Sequence, residues 1–124
     1  MSDHAHPVDA DRVARARARV PSREDAVATA EVLTVIADPT RARVLQALDA
    51  VEELCVGDLA LALGASEDAV GYALRVLRGA GLVTNRKAGR VVFYRLAANF
   101  PEPLAEHCLR ALAALARDGG GPGR

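Results

Sequence analysis

Tryptophan is absent from this chain, and two tyrosines and two phenylalanines make up all its aromatic residues, 3% of 124. A core without large rings has to be filled by Ala, Leu and Val, which suits close-packed helices better than a large sheet. Cysteine is just as scarce. Cys55 and Cys108 are too few for a disulfide framework, so in a reducing compartment they are core fillers, metal ligands or redox groups. No apolar run approaches the roughly 20 residues of a bilayer-spanning helix. The opening MSDHAHPVDADR has acids and histidines where a signal peptide needs a basic flank and an apolar segment. These absences point to a cytoplasmic protein without a membrane partner. A phosphate-binding glycine loop and a convergent nucleophile and base are also missing, which argues against an enzyme.

Net charge is missing too, since 16 basic residues offset 16 acids. The distribution is uneven, however. Between Ser66 and Arg95, six basic residues (Arg75, Arg78, Arg86, Lys87, Arg90, Arg95) face two acids, Glu67 and Asp68, whereas between Ser22 and Ala60 eight acids face three arginines. Local potential at a surface matters more for contact with nucleic acid than the total does.

The length fits one domain with flexible ends. Residues 1–21 read as a mobile arm and a short basic helix, on which Arg12, Arg15 and Arg19 share one face. That face is either a solvated one or a contact for phosphate or a partner. Residues 22–117 form the domain, and 118–124, DGGGPGR, a disordered tail. Ser22 caps a long helix with an apolar stripe of Val32, Leu33 and Ile36. Asp38, with Pro39 in the first turn, starts a second helix whose Val44, Leu45 and Leu48 face inward.

A short helix follows over about Val56 to Leu63, ended by Gly64, and Ser66 caps the next, whose Val70, Leu74 and Leu77 form an apolar stripe. Two helices joined by a tight glycine-containing turn make a helix-turn-helix candidate. The period then changes. LVTNRKAGRVVFYRL has β-branched and aromatic residues on either side of a polar turn, RKAG, which predicts a β-hairpin. A last helix is expected from about Pro101 to Arg117. The fold class is therefore mostly α with one hairpin, a winged helix-turn-helix.

The segments ADPTRARVLQAL, ELCVGDLA, SEDAVGYALRVLRGAGLV and RKAGRVVFYRL together resemble the ArsR/SmtB family of bacterial winged-helix, metal-sensing repressors, from about Ala30 to Leu96. The resemblance implies a homodimer joined through its first and last helices. Each protomer would offer a recognition helix to a half-site of double-stranded operator DNA, and a metal or other inducer would relieve repression. The residues agree with it. The helix from 67 to 80 would present Gly71, Tyr72, Arg75 and Arg78 to the major groove. Ser66 and the helix N-terminus could receive a phosphate, and Arg86, Lys87 and Arg90 of the wing would supply charge to the backbone. Many relatives carry Ser-His-Gln where this chain has Gly71, Tyr72 and Ala73, so no operator sequence can be carried over.

Cys55 and Asp58 lie three apart at a helix start and can project to one side. His4 and His6 alternate with Ala5, so in an extended arm both imidazoles also share a side. A thiolate, a carboxylate and two imidazoles suit tetrahedral Zn²⁺ or a similar ion. The resemblance implies how the two halves meet, because one sensor site of the family joins the N-terminal arm to the helix that starts at the ELCV-D segment, often across the dimer. Gly57 stands where many relatives have a second cysteine. Fewer thiolates favour Zn²⁺, Co²⁺ or Ni²⁺ over Cd²⁺ or Pb²⁺. Each residue also has a plainer reading: Cys55 as a core filler, Asp58 as a helix-dipole partner, the histidines as incidental.

A second family site lies between the last helices, and its positions fall here on Ala98, Phe100, Ala111 and Ala114, which cannot bind metal. Glu106, His107 and Cys108 remain as a possible second site, although adjacent helical positions point about 100° apart. Two alternatives stay open: a thiol redox sensor on the same fold, and a dimeric interaction protein with weakened DNA binding.

Overall fold

The computed structural model describes residues 5–101 and 108–118. Its elements are α1 (Ala10–Arg19), α2 (Arg23–Ile36), α3 (Pro39–Val51), β1 (Glu53–Cys55), α4 (Val56–Leu63), α5 (Glu67–Gly79), β2 (Val83–Ala88), β3 (Val91–Leu96) and α6 (Arg110–Arg117). The chain divides into two compact units, 1–31 and 32–124, with α2 beginning in the first and ending in the second. His4, Glu106, His107 and nearly all of the glycine-rich tail lie outside the described residues.

The helix starts follow from local hydrogen bonding. Amide N–H groups of the first turn have no partner within the helix, and an oxygen-bearing side chain just before it supplies one. The Arg12 amide donates to Asp9 at 3.0 Å, the Asp25 amide to Ser22 at 3.0 Å, the Arg41 amide to Asp38 at 2.9 Å and the Ala69 amide to Ser66 at 3.1 Å. Four of the helices thus begin where a Ser or Asp cap predicts. At the other end of α2, Arg41 Nε donates to the Val35 carbonyl at 2.6 Å.

In the second unit α3, α4 and α5 pack through Val44, Leu45, Leu48, Leu59, Val70, Leu74 and Leu77, all with at most 1% of their surface exposed. Leu82, Val83 and Phe100 complete this core from the sheet side. Ile36 is the one buried residue of α2. Val32 and Leu33, which share its apolar stripe, are exposed. Leu112 and Leu115 on α6 are exposed as well.

Two differences from the expected hairpin concern the wing. The sheet has three antiparallel strands in the order β1-β3-β2, where two were expected. The added strand is the ELC stretch that leads into α4, paired as Glu53 with Arg95, Leu54 with Tyr94 and Cys55 with Phe93. The turn is also later than RKAG. β2 and β3 pair as far as Ala88 with Val91, so Arg86 and Lys87 are strand residues and the loop is Gly89 and Arg90. Gly89 has φ +63°, the left-handed region that a two-residue hairpin loop requires at its first position. No helix among the described residues is long and apolar enough to cross a membrane.

Candidate nucleic-acid interface

α4 and α5 form the helix-turn-helix, and the turn between them is fixed at several points. Gly64 takes the left-handed conformation, φ +64°, that ends helices. The Ala65 amide reaches back to the Ala60 carbonyl at 3.0 Å. From α3, Arg43 Nη2 donates to the Leu63 carbonyl at 2.9 Å, so the last turn of α4 is satisfied by a side chain of another helix. Ser66 then opens α5.

α5 divides into two faces. Val70, Ala73, Leu74 and Leu77 are buried, while Tyr72, Arg75 and Arg78 are exposed and Gly71 is half-buried. Ala73 therefore belongs to the core side and offers no reading position. The Arg75 guanidinium lies 5.6 Å from the centre of the Tyr72 ring, close enough for a cation–π contact that steadies both side chains one turn apart. Arg75, Arg78 and Gly79 line a shallow surface hollow. A Cβ placed on Gly71 would meet nothing within 4 Å, and no left-handed backbone calls for glycine there, so this glycine simply leaves the exposed face bare.

The wing carries Arg86, Lys87 and Arg90, all exposed. Arg86 is engaged within the protein: Nη2 donates to Glu53 Oε1 at 2.6 Å, Nε to Oε2 at 3.1 Å, and its guanidinium lies 4.9 Å from the Phe93 ring centre. Arg95 approaches the same carboxylate at 4.0 Å. The Arg86 hydrogen bond holds the Glu53 carboxyl below its usual range against the opposing effect of burial, with the charges of Arg86 and Arg95 adding to it. The same bond raises Arg86. Sequence reasoning missed Glu53, which carries no local signal of a partner 33 positions away.

Cys55 and Asp58, two of the candidate metal ligands, flank the start of α4. Cys55 is half-buried at the N-cap of α4 and makes no capping hydrogen bond, and Asp58 is exposed in the first turn. Cys55 shares a sheet face with Phe93 and Arg86 through the strand register. His6 belongs to the first unit and Cys55 and Asp58 to the second. Among the described residues no three His, Cys, Asp or Glu side chains are gathered as a metal site. Cys108 is exposed ahead of α6, and both cysteines are free thiols. Ala98, Ala111 and Ala114 offer no donors, and Phe100 is part of the core.

Residues 38–85 match the model of the family described as "Bacterial regulatory protein, arsR family". The chain is 45% identical over 92 residues to the transcriptional repressor SmtB homolog of Synechocystis sp., an alignment that covers 74% of this chain and 69% of that protein. It is 37% identical over 98 residues to the HTH-type transcriptional repressor SmtB of Mycobacterium tuberculosis, covering 78% and 71%. Among solved structures, HlyU from Vibrio cholerae N16961 superposes with a TM-score of 0.62 at 31% identity, over 75% of this chain and 99% of that one.

Proposed function

The chain belongs to the arsR family of bacterial regulatory proteins, and from that premise we propose that it is a homodimeric, DNA-binding transcriptional repressor released from its operator when a divalent metal binds. The observation that carries this reading is the exposed face of α5, where Tyr72, Arg75 and Arg78 stand clear of a core-facing stripe. α5 enters the major groove, the N-terminus of that helix with Ser66 receives a phosphate, and Lys87 and Arg90 contact the backbone from the wing. Within the second unit, Val32 and Leu33 on α2 and Leu112 and Leu115 on α6 are exposed apolar residues that a second copy would cover.

The inducer site in this reading joins Cys55 and Asp58 to His4 and His6 of the arm. The donor set suits Zn²⁺ first, with Co²⁺ and Ni²⁺ next and Cd²⁺ or Pb²⁺ less favoured. A half-buried thiol without a capping hydrogen bond is free to serve as a ligand. Metal held there grips the start of the helix-turn-helix itself. A coupling of about 1 to 3 kcal/mol would change operator affinity about 5- to 150-fold. The test is a titration of Zn²⁺, Co²⁺, Ni²⁺, Cd²⁺ and Pb²⁺ into the protein bound to a duplex selected by the protein from a random pool. Release by Zn²⁺ that is lost in Cys55→Ser supports the reading, and equal release from both proteins refutes the role of Cys55.

A further inference from the structure

α1 lies outside residues 38–85, and the helix-turn-helix makes no use of it. Its sequence, ADRVARARAR, carries four arginines in ten residues, and none of its residues is buried. At about 100° per residue, Arg12, Arg15 and Arg19 fall within about 60° of one another around the axis, while Arg17 points to the opposite side with Val13. The two acids nearby, Asp9 and Asp11, sit at the N-terminal end, where they complement the helix dipole. Asp9 is occupied as the cap and reaches Arg12 Nε at 3.4 Å. Arg15 and Arg19 have no ion-pair partner among the described residues.

A row of exposed guanidinium groups is costly to gather unless an anion shares it, since like charges on one helix face repel. The occupant that fits is a polyanion with regularly spaced charges. Along the axis Arg12 to Arg15 rises about 4.5 Å and Arg15 to Arg19 about 6 Å. Guanidinium forks, unlike ammonium groups, take phosphate oxygens in pairs. We infer that α1 is a second DNA-binding element, which lays the Arg12, Arg15 and Arg19 face on the phosphate backbone and adds affinity without reading sequence. The inference rests on the DNA-binding reading above and extends it to a segment outside the helix-turn-helix.

The experiment measures binding of the full chain to a long mixed-sequence duplex by fluorescence anisotropy, from about 50 to 200 mM salt. It compares the wild type with Arg12→Ala, Arg15→Ala and Arg19→Ala combined, with the same three positions changed to Lys, and with Arg17→Ala. Alanine is the strongest helix former, so the triple variant keeps its helix, which circular dichroism checks. Each phosphate contact contributes about 0.9 to the slope of log K against log salt, so the triple alanine variant should be shallower by about 2 to 3 per bound protomer. The triple lysine variant should recover most of that slope, and Arg17→Ala should keep all of it. A triple alanine slope equal to the wild type's overturns the inference, as does an equal loss from Arg17→Ala. So does a dimer that dissociates in the triple variant during sedimentation, which would place this face against a partner protomer. A wild type without salt-dependent binding sinks the repressor reading itself, an outcome distinct from these.

Discussion

Glu53 and Arg86 stand 33 residues apart and meet through two hydrogen bonds, of 2.6 and 3.1 Å, that join the strand ahead of α4 to the wing. The pairing follows from the added strand. β3 lies between β1 and β2, and Arg86, Phe93 and Cys55 form one row across the three strands. Glu53 is two residues from Cys55 and shares its face, so the Arg86 guanidinium, lying over the Phe93 ring, reaches its carboxylate. The wing arginine and the segment that holds the candidate ligand are thus parts of one charged cluster.

Replacing Glu53 by Gln should therefore strengthen sequence-independent DNA binding. Glu53 neutralises Arg86 and places a negative charge beside the wing, and Gln removes both effects while keeping the size of the side chain. The slope of log K against log salt should become steeper, by up to about 0.9 for each Arg86 released to a phosphate. Anisotropy titrations over a salt series measure this directly, and a shallower slope would mean that Glu53 aims Arg86 at DNA instead of withholding it.

The same pair sets a pH dependence. The Glu53 carboxyl lies below its ordinary value of 4.5, chiefly through the Arg86 hydrogen bond, so the native state favours the ionised form. Its contribution to stability is complete above the unfolded value and is lost as the pH falls through the lower, folded one. Arg86 is shifted upward and stays charged throughout. Thermal melts of the wild type and Glu53→Gln between about pH 6 and pH 3 should differ at the upper end and converge at the lower. A constant gap across that range would show that this carboxylate does not titrate against Arg86.

Gly71 is the next position with a clear sign. Inside a helix glycine costs about 0.5 to 1 kcal/mol relative to alanine, and Gly71 is half-buried with open space beside it. A Cβ there meets nothing within 4 Å and the backbone is ordinary helix, so Gly71→Ala should stabilise the protein by about that amount in urea unfolding. DNA affinity supplies the contrast. If the bare backbone at Gly71 approaches the groove closely, the stabler variant will bind more weakly.

The sequence was legible where the determining contact is local. Ser22, Asp38 and Ser66 each meet an amide three residues on, so the start of each of these helices is readable from a handful of positions. Gly64 marked the turn of the helix-turn-helix for the same reason. β1 was not legible: three residues are too few to show alternation, and they run without a break into the apolar start of α4. The wing turn falls later than RKAG because the two charges suggest a loop, whereas strand pairing carries Arg86, Lys87 and Ala88 into β2 and leaves Gly89 as the residue that must turn. Cys55 and Asp58 lie at the start of α4 as their spacing predicts, whereas whether a donor from another part of the chain joins them is a long-range matter that no local spacing encodes.

Arg43 gives a last prediction, about the rigidity of the DNA-reading unit. Its Nη2 donates to the Leu63 carbonyl at 2.9 Å, so α3 ties off the end of α4 where the chain turns toward α5. The Ala65 amide bonds to Ala60, one turn earlier, and leaves the Leu63 oxygen to Arg43. Arg43→Met keeps most of the side-chain length and removes the donor. A charged hydrogen bond in a partly buried setting contributes about 1.5 to 3 kcal/mol, and water at the surface recovers part of that, so a loss of about 1 kcal/mol is expected. Hydrogen exchange should locate the effect in the amides around Gly64 and Ser66, with α3 itself unchanged. Faster exchange spread evenly over the core would instead mean that Arg43 supports the whole domain and not the turn.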